Sequence, residues 1–265
     1  MNILDTIVEY KKSEVRKRKS EVNISMLEKS ALFKREIFSI RDFLLDSEKT
    51  GIIAEFKRKS PSKGVINDKV DVVDVTKGYT DNGASCLSVL TDEHFFGGND
   101  NDLLRARVNN IPILRKEFIV DEYQIVEAKS IGADLILLIA ACLTVNEVKR
   151  FASFARNLGL DVLLELHGEE ELDHICNETE IVGINNRNLK TFVVDIERSL
   201  RMAEKIPSDK IKIAESGISS VENILLFKEN GFKGFLIGEN FMKEADPTIA
   251  FARFVNQLKQ KRYES

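Results

Sequence analysis

The chain has 265 residues, 43% of them hydrophobic, which is enough for a sizeable core and fits one large domain or two small ones. Its 39 basic and 43 acidic residues give a net charge of -4, so a global attraction to nucleic acid or to an anionic membrane is not expected. No apolar run approaches the roughly 20 residues that span a bilayer, and the charged N-terminus does not resemble a signal peptide. We therefore expect a cytoplasmic protein in which any anion site is local.

Cysteine and histidine spacing argues against metal and disulfide chemistry. Cys86, Cys142 and Cys176 lie far apart and form no CxxC motif, so we expect three reduced, non-catalytic thiols. His94, His167 and His174 are the only histidines, and they show no metal-ligand spacing. The sequence therefore predicts no metal site.

The first 48 residues contain no strand-helix unit and predict an N-terminal helical extension. The segment ILDTIVEYKKSEVRKRK predicts one helix, and a second is expected near Ser39 to Leu45. Six basic residues lie between Lys11 and Lys19, a density that also occurs in nucleic-acid patches. An apolar stripe on the same helix leaves these charges on a solvated face, so nucleic acid is not expected as a partner. The stripe comprises Ile3, Leu4, Ile7, Val8 and Val15.

From residue 51 onward, short apolar runs alternate with segments of helical period eight times. The predicted strands begin at Gly51, Cys86, Pro112, Asp134, Asp161, Ile181, Lys210 and Lys233. Eight such units predict the α/β class and a closed (β/α)₈ TIM barrel, with residues 1–48 as its extension and residues 1–265 as one domain. An open doubly wound sheet is the competing arrangement, but no GxGxxG motif follows the first strand.

Polar residues close several of the predicted strands. In GIIAEFK the side chains of Ile53, Glu55 and Lys57 share one face, because strand side chains alternate. Burying charges on separate strands is costly unless they pair with one another and with a ligand, and barrel enzymes carry their active site at this rim. We therefore predict an active site there, with a purely structural ion-pair network as the alternative. Corresponding strand-end residues are Lys116, Glu165, Asn185 and Glu215.

Two glycine-containing turns predict a phosphate site. AESGI follows the seventh strand and LIGEN the eighth, where Gly217 and Gly238 allow the backbone to approach an anion closely. Either glycine alone fits an ordinary strand end. Both together match the usual phosphate site of this fold and favour a phosphate monoester substrate.

Two other motifs are given structural interpretations. Ser60 to Lys63 matches the SxxK pattern of serine nucleophiles, but its helical context and the KTG partner are missing. The run from Glu169 to Glu171 follows Gly168 and predicts the solvated N-terminus of a helix.

Six motifs in order resemble the indole-3-glycerol-phosphate synthase family: AEFKRKSPSKG, ILRKEFIV, LLELH, GINNRNL, AESGI and FLIG. The resemblance runs from the N-terminal helix to about residue 250 and implies a TIM barrel with a helical extension. It implies a carboxy-lyase that cyclises, decarboxylates and dehydrates 1-(2-carboxyphenylamino)-1-deoxyribulose 5-phosphate to indole-3-glycerol phosphate in tryptophan biosynthesis. No cofactor or metal is implied, and association with other enzymes of the tryptophan pathway is left open.

The resemblance also implies roles for single residues. Catalytic roles are expected for Glu55, Lys57, Lys116, Glu165 and Asn185. Substrate contacts are expected from Ser60, Phe96, Leu137, Arg187, Leu189, Glu215 and Ser216, and phosphate contacts from Lys57, Gly217, Gly238 and Glu239. Two positions depart from common family residues: Gly97 replaces Gln or Asn, and Glu239 replaces the Ser of some members. Glu239 lacks a hydroxyl, so only its backbone N–H is expected to bind phosphate.

The implied chemistry needs both signs of charge. Lys116 is expected to protonate the ketone oxygen during ring closure, Glu165 to remove a proton during dehydration, and Lys57 to act as the acid of that step. Glu55 is expected to hold both lysines, while Asn185 and Arg187 bind the anthranilate carboxylate or nearby hydroxyls.

Three other functions stay open at this stage. Two are enzymes, phosphoribosylanthranilate isomerase and an aldolase with a Schiff-base lysine, although the isomerase usually needs a cysteine that the first strand here lacks. The third is a non-catalytic phosphosugar-binding barrel, which would be expected to lose at least one of Lys57, Lys116 and Glu165.

Overall fold

Eight parallel β-strands close into a barrel in the structure, a computed structural model that describes residues 3–188 and 193–264. Each strand pairs with its neighbours along the chain, and the last pairs with the first through Phe235 and Ile52. The predicted TIM barrel is confirmed, with strand ends within about two residues of those expected. The strands are β1 (Ile52–Phe56), β2 (Cys86–Leu90), β3 (Ile113–Lys116), β4 (Leu135–Ile139), β5 (Asp161–Leu166), β6 (Ile181–Asn185), β7 (Ile211–Glu215) and β8 (Phe232–Ile237).

Helices surround the barrel, and several of them begin after residues that cap them. Asp121 with Gln124, and Thr144 with Glu147, form capping boxes that fix where the helices Glu122–Ser130 and Val145–Asn157 begin. The helices are α1 (Ile3–Glu21), α2 (Ile24–Leu27), α3 (Ile40–Leu45), α4 (Val72–Asp81), α5 (Asp100–Ala106), α6 (Glu122–Ser130), α7 (Val145–Asn157), α8 (Ile196–Ala203), α9 (Val221–Glu229), α10 (Glu239–Met242) and α11 (Pro247–Glu264). Among the described residues, no helix is long and apolar enough to cross a membrane.

The crossover from β5 to β6 differs from the expectation of a helix with a solvated N-terminus. It contains a 3₁₀ helix, Glu169–His174, whose preceding Gly168 provides no side-chain cap. Glu171 is only 9% exposed, because its carboxylate turns inward and accepts the backbone N–H of His167 at 2.6 Å. The prediction that this acidic run is solvated was therefore wrong for Glu171.

Side-chain alternation divides the apolar residues into two cores, as predicted. Ile52, Ala54 and Phe56 on β1 pack in the layer between strands and helices. Ile53 points into the barrel interior, and so do apolar residues of the other strands. Because interior positions change from apolar to charged toward the carboxyl ends of the strands, the polar groups meet at one mouth of the barrel.

Helix α3 closes the opposite end of the barrel. Ile40 and Leu44 are buried in the interior core, where Leu44 approaches the space beside Gly234 on β8. The Asp161 carboxylate accepts the Ile40 N–H at 3.2 Å and so anchors the start of this helix. Burying two such side chains stabilises the fold by about 1.5–3 kcal/mol each.

Helix α1 crosses near the mouth, and here the prediction of a fully solvated basic face was wrong. Lys11 lies four residues from both Ile7 and Val15, so it shares their inward face and is 1% exposed. Its ammonium contacts Asp92 at 2.8 Å and Glu117 at 3.1 Å. The extension is therefore joined to the barrel by a buried ion-pair cluster, defined here as Lys11, Asp92 and Glu117.

Candidate active site

A cavity of about 320 Å³ opens at the carboxyl ends of the strands. Of the predicted site residues, Leu189 lies outside the described part of the chain. The others all line this cavity: Glu55, Lys57, Ser60, Phe96, Lys116, Leu137, Glu165, Asn185, Arg187, Glu215, Ser216, Gly217, Gly238 and Glu239. Residues that are far apart in the sequence thus converge on one space.

Glu55 and Lys57 form a pair at the end of β1. The Lys57 ammonium lies 2.8 Å from the Glu55 carboxylate, which also accepts the Ser88 hydroxyl at 3.1 Å. Burial raises the pKa of Glu55, but the charges of Lys57 and Lys116 outweigh burial and the pKa lies below its ordinary value. Glu55 is therefore ionised at neutral pH.

Lys116, at the end of β3, lies between two buried carboxyl groups. Its ammonium donates to Glu165 at 3.0 Å and to Glu215 at 3.1 Å. Burial lowers the pKa of Lys116, but Glu165, Glu215 and the more distant Glu55 raise it well above its ordinary value. The sequence predicted that Glu55 also holds Lys116, but the Lys116 ammonium contacts Glu165 on β5 and Glu215 on β7 instead.

The pKa values of the two carboxyl groups around Lys116 are shifted in opposite directions. Burial raises the pKa of Glu165, but Lys116, His167 and Asn185 lower it well below its ordinary value. Burial and the neighbouring Glu165 charge raise the pKa of Glu215 more than Lys116 lowers it. A proton shared between the two carboxyl groups therefore resides on Glu215.

Gly183 on β6 makes room for Glu215. A Cβ at residue 183 would lie 2.0 Å from a Glu215 oxygen. Next on the same face, Asn185 donates its amide to Glu165 at 3.1 Å. Asn185 thus contacts Glu165, a candidate catalytic residue, and also lines the cavity.

The loops after β7 and β8 bring backbone close to the cavity. Ser216 and Gly217 adopt φ values of 65° and 70°, the left-handed region that costs a residue with a side chain about 1 kcal/mol or more. Gly238 lies against β1, because a Cβ there would be 2.8 Å from a Glu55 oxygen. The left-handed backbone at Gly217 and the close approach of Gly238 to Glu55 explain why glycine occurs at these two positions.

Glu239 directs its carboxylate toward cations at the rim. Its oxygens lie 3.5 Å from Arg187 and 3.7 Å from Lys63. All three side chains are at least partly exposed, so these contacts contribute little stability. The arrangement holds Arg187 beside the cavity.

Aromatic and aliphatic side chains form the remaining wall. The rings of Phe96 and Phe118 lie 5.9 Å apart, and Leu137 lies deeper in the cavity. Asp92 fixes the Phe96 loop by accepting the N–H groups of Phe95 at 2.7 Å and Phe96 at 3.2 Å. Helix α1 contributes further apolar lining through Ile3, Leu4 and Ile7.

Sequence reasoning missed Ser88, Phe118 and His167 as parts of this site. Phe118 follows Lys116 by two residues and His167 follows Glu165 by two, so strand alternation places each on the same face as its charged neighbour. That signal was present in the sequence. Ser88 gave no such signal, because only the β1–β2 register sets it beside Glu55.

The cysteines behave as expected for unreactive thiols. All three are free, and burial raises the pKa of Cys86 and Cys142. Within the described part of the chain, no group of three or more histidine, cysteine or carboxylate side chains is arranged as a metal site.

Comparison with known proteins gives the family. The sequence model described as indole-3-glycerol phosphate synthase matches residues 4–254. The chain belongs to the indole-3-glycerol phosphate synthase family. A curated family member from Bacteroides thetaiotaomicron is 44% identical over 260 residues, which cover 97% of this chain and 99% of that protein. One from Caldanaerobacter subterraneus subsp. tengcongensis is 43% identical, covering 91% of this chain and 93% of its own.

Solved structures show a fold shared beyond the indole-3-glycerol phosphate synthase family. The tryptophan synthase α-subunit of Legionella pneumophila superposes with a TM-score of 0.63 at 13% identity, covering 85% of this chain and 98% of that chain. A tryptophan synthase complex from Pyrococcus furiosus gives a TM-score of 0.60 at 18% identity, covering 80% of this chain and 99% of the matched chain. At these identities the likeness concerns the barrel alone.

Proposed function

We propose that this chain converts 1-(2-carboxyphenylamino)-1-deoxyribulose 5-phosphate into indole-3-glycerol phosphate, CO₂ and water, as a carboxy-lyase of tryptophan biosynthesis. The observation that carries the proposal is the placement of two lysines, each paired with carboxylates, around one cavity in a member of this family. Phosphate-type loops border the same cavity. Cytoplasmic location and association with other enzymes of the pathway stay predictions.

Ring closure is assigned to Lys116. The aromatic carbon that bears the carboxylate forms a bond to the ketone carbon, while the ketone oxygen takes a proton from Lys116. Because neighbouring carboxylates raise the pKa of Lys116, the lysine enters the reaction charged and polarises the ketone before the proton moves. Loss of CO₂ then returns its electron pair to the ring system and restores conjugation.

Dehydration is assigned to Lys57 and Glu165. The ring hydroxyl leaves as water with a proton from Lys57, and Glu165 takes the proton whose loss completes the indole. Lys116 and Lys57 each donate one proton and Glu165 accepts one, so the net uptake is the single proton that the overall reaction consumes. Glu165 lies 3.0 Å from Lys116, so the collected proton returns directly to the lysine that began the cycle.

Substrate orientation is assigned to the remaining lining. Phe96, Leu137 and Leu189 would hold the aromatic ring, and Arg187 the anthranilate carboxylate. Each acid-base step contributes about 10² to 10⁴-fold, so orientation must supply part of an acceleration of about 10⁶ or more. Ser60, Ser216 and the backbone at Gly217, Gly238 and Glu239, with Lys57, would contact the sugar phosphate.

A direct assay tests the proposal. The protein is incubated with the carboxyphenylamino-deoxyribulose phosphate, and indole fluorescence and CO₂ are followed together. Both signals are expected in equal amounts. Isomerisation of phosphoribosylanthranilate without CO₂, trapping by borohydride, or binding without turnover would instead support the isomerase, the aldolase or the binding module.

A further inference from the structure

The cavity contains more carboxyl groups than ammonium groups. Three carboxyl groups share two ammonium groups: Glu55 contacts Lys57, while Glu165 and Glu215 contact Lys116. A substrate that carries a phosphate and a carboxylate would add further negative charge. Lys57 and Lys116 balance Glu55 and Glu165 while Glu215 holds its proton, so loss of that proton would leave a buried carboxylate unbalanced, which is costly.

His167 is a further titratable side chain beside Glu165. Its Nε2 is 2.9 Å from a Glu165 oxygen, and its Nδ1 is 3.9 Å from the Glu171 carboxylate. The side chain is 10% exposed, and neither ring nitrogen has an aligned hydrogen-bond partner in the described part of the chain. An uncharged imidazole has one N–H and can donate to only one of these two carboxylates, whereas an imidazolium has two and is attracted by both.

We propose that His167 is a positioning residue for Glu165: its protonated ring holds the carboxylate beside Lys116, and its neutral ring leaves Glu165 a stronger base. The role of His167 in turnover rests on the proposed function, whereas the charge contact between His167 and Glu165 does not. Glu171 on the 3₁₀ helix orients the ring from the solvent side. His167 thus lies between Glu165, the base of the proposed reaction, and Glu171 at the rim of the barrel.

The surroundings of His167 give the sign of its pH dependence. Burial lowers the pKa of His167, but Glu165, Glu171 and Glu215 raise it above its ordinary value. As pH falls through that raised pKa, the imidazolium forms and weakens Glu165 as a base, so the base step slows. The charged groups that act on His167 are Glu165, Glu171 and Glu215, and Lys116 contacts Glu165 and Glu215. The Cys142 thiol is influenced by the same Glu165 and Glu171, and by Asp5 of α1.

Histidine NMR tests the contact without any substrate. The chain has three histidines, so ¹⁵N-histidine labelling gives few signals, and His167→Gln and His94→Gln assign them. We expect the pKa of His167 to lie above its ordinary value and to fall clearly in Glu165→Gln, because Glu165 raises it through a hydrogen bond and its charge. Glu171→Gln should lower it by less. Titration of His167 at or below the ordinary value, or no change in Glu165→Gln, would overturn the proposal.

Kinetics test the consequence for turnover. Glutamine keeps an N–H donor near the Nε2 position but does not titrate. On the acidic side, the wild-type kcat should fall about tenfold per pH unit below the His167 pKa, whereas His167→Gln should lose that limb and stay within a few fold of its rate at high pH. The exposed His94→Gln variant is the matched control and should keep the wild-type profile.

The two kinds of failure are distinguishable. Failure of the proposed function appears as a wild-type protein without turnover, while the NMR titration still reads the charge contact. Failure of the present inference appears as an unshifted titration, or as an active His167→Gln variant whose acidic limb is unchanged. A His167→Gln variant that differs only in thermal stability would show a purely structural histidine and would also overturn it.

Discussion

Replacing Lys11 by methionine should destabilise the protein strongly, because it removes the only cation of the buried Lys11, Asp92 and Glu117 cluster. Asp92 and Glu117 have side chains that are 0% exposed and lie 2.8 and 3.1 Å from the Lys11 ammonium. Methionine fills a similar volume, so the cost comes from charge rather than from a cavity. Removing one partner of a buried ion pair costs about 3–5 kcal/mol, a large part of the 5–15 kcal/mol by which a typical protein is stable.

Urea unfolding followed by circular dichroism measures this loss as a lower midpoint with an unchanged slope. Lys12→Met is the matched control, since Lys12 is exposed on the same helix and pairs with the exposed Glu9 at 2.9 Å. Its expected cost is about 0.5 kcal/mol or less. The loss in Lys11→Met should shrink at low pH, because burial already raises the pKa of Glu117 and removing Lys11 raises it further, so acid neutralises the unpaired carboxylate. Equal losses in the two variants, or a loss independent of pH, would refute the reasoning.

Four further changes separate the roles around the cavity. Lys116→Ala should abolish turnover but still bind a product analogue in calorimetry; normal turnover would remove it as the acid. Glu165→Gln should slow a late step in single-turnover fluorescence, and an unchanged time course would contradict its assignment as base. Gly238→Ala should push a Cβ against Glu55, whose oxygen is 2.8 Å away, and lower kcat/KM by about a hundredfold; an unaffected rate would show that the loop yields. Since the pKa of Glu215 is raised in the fold, the stability of Glu215→Gln relative to wild type should increase as pH rises above the ordinary carboxyl range, which thermal melts at several pH values would reveal.

The rim of the barrel was predictable because two local rules apply to it. Strand alternation assigns each residue to the interior or to the helix layer, and the (β/α)₈ pattern states at which end the functional groups lie. Glu55, Lys57 and Lys116 could therefore be placed at one mouth from short segments alone. The pairing of Lys116 with Glu165 and Glu215 did not follow, because these partners belong to strands that meet β3 only when the barrel closes.

The buried Lys11 shows a different limit. A helical stripe identifies the inward face, and the spacing from Ile7 to Lys11 to Val15 marks Lys11 as part of it. A lone lysine at such a position is normally assigned to solvent, because burying it is costly without partners. Those partners, Asp92 and Glu117, come from loops after two other strands, so only the folded structure reveals that the cost is offset.

Closure of the barrel through β1 and β8 has a consequence for synthesis of the chain. Glu55 and Gly238 touch across that seam, so the first and the last parts of the barrel to leave the ribosome complete the same site. Until β8 has emerged, β1 has one unpaired edge and Glu55 has no neighbour on that side, which leaves an edge able to pair with other chains. Contacts between such distant segments form slowly, and aggregation of the nascent protein is most expected in this interval.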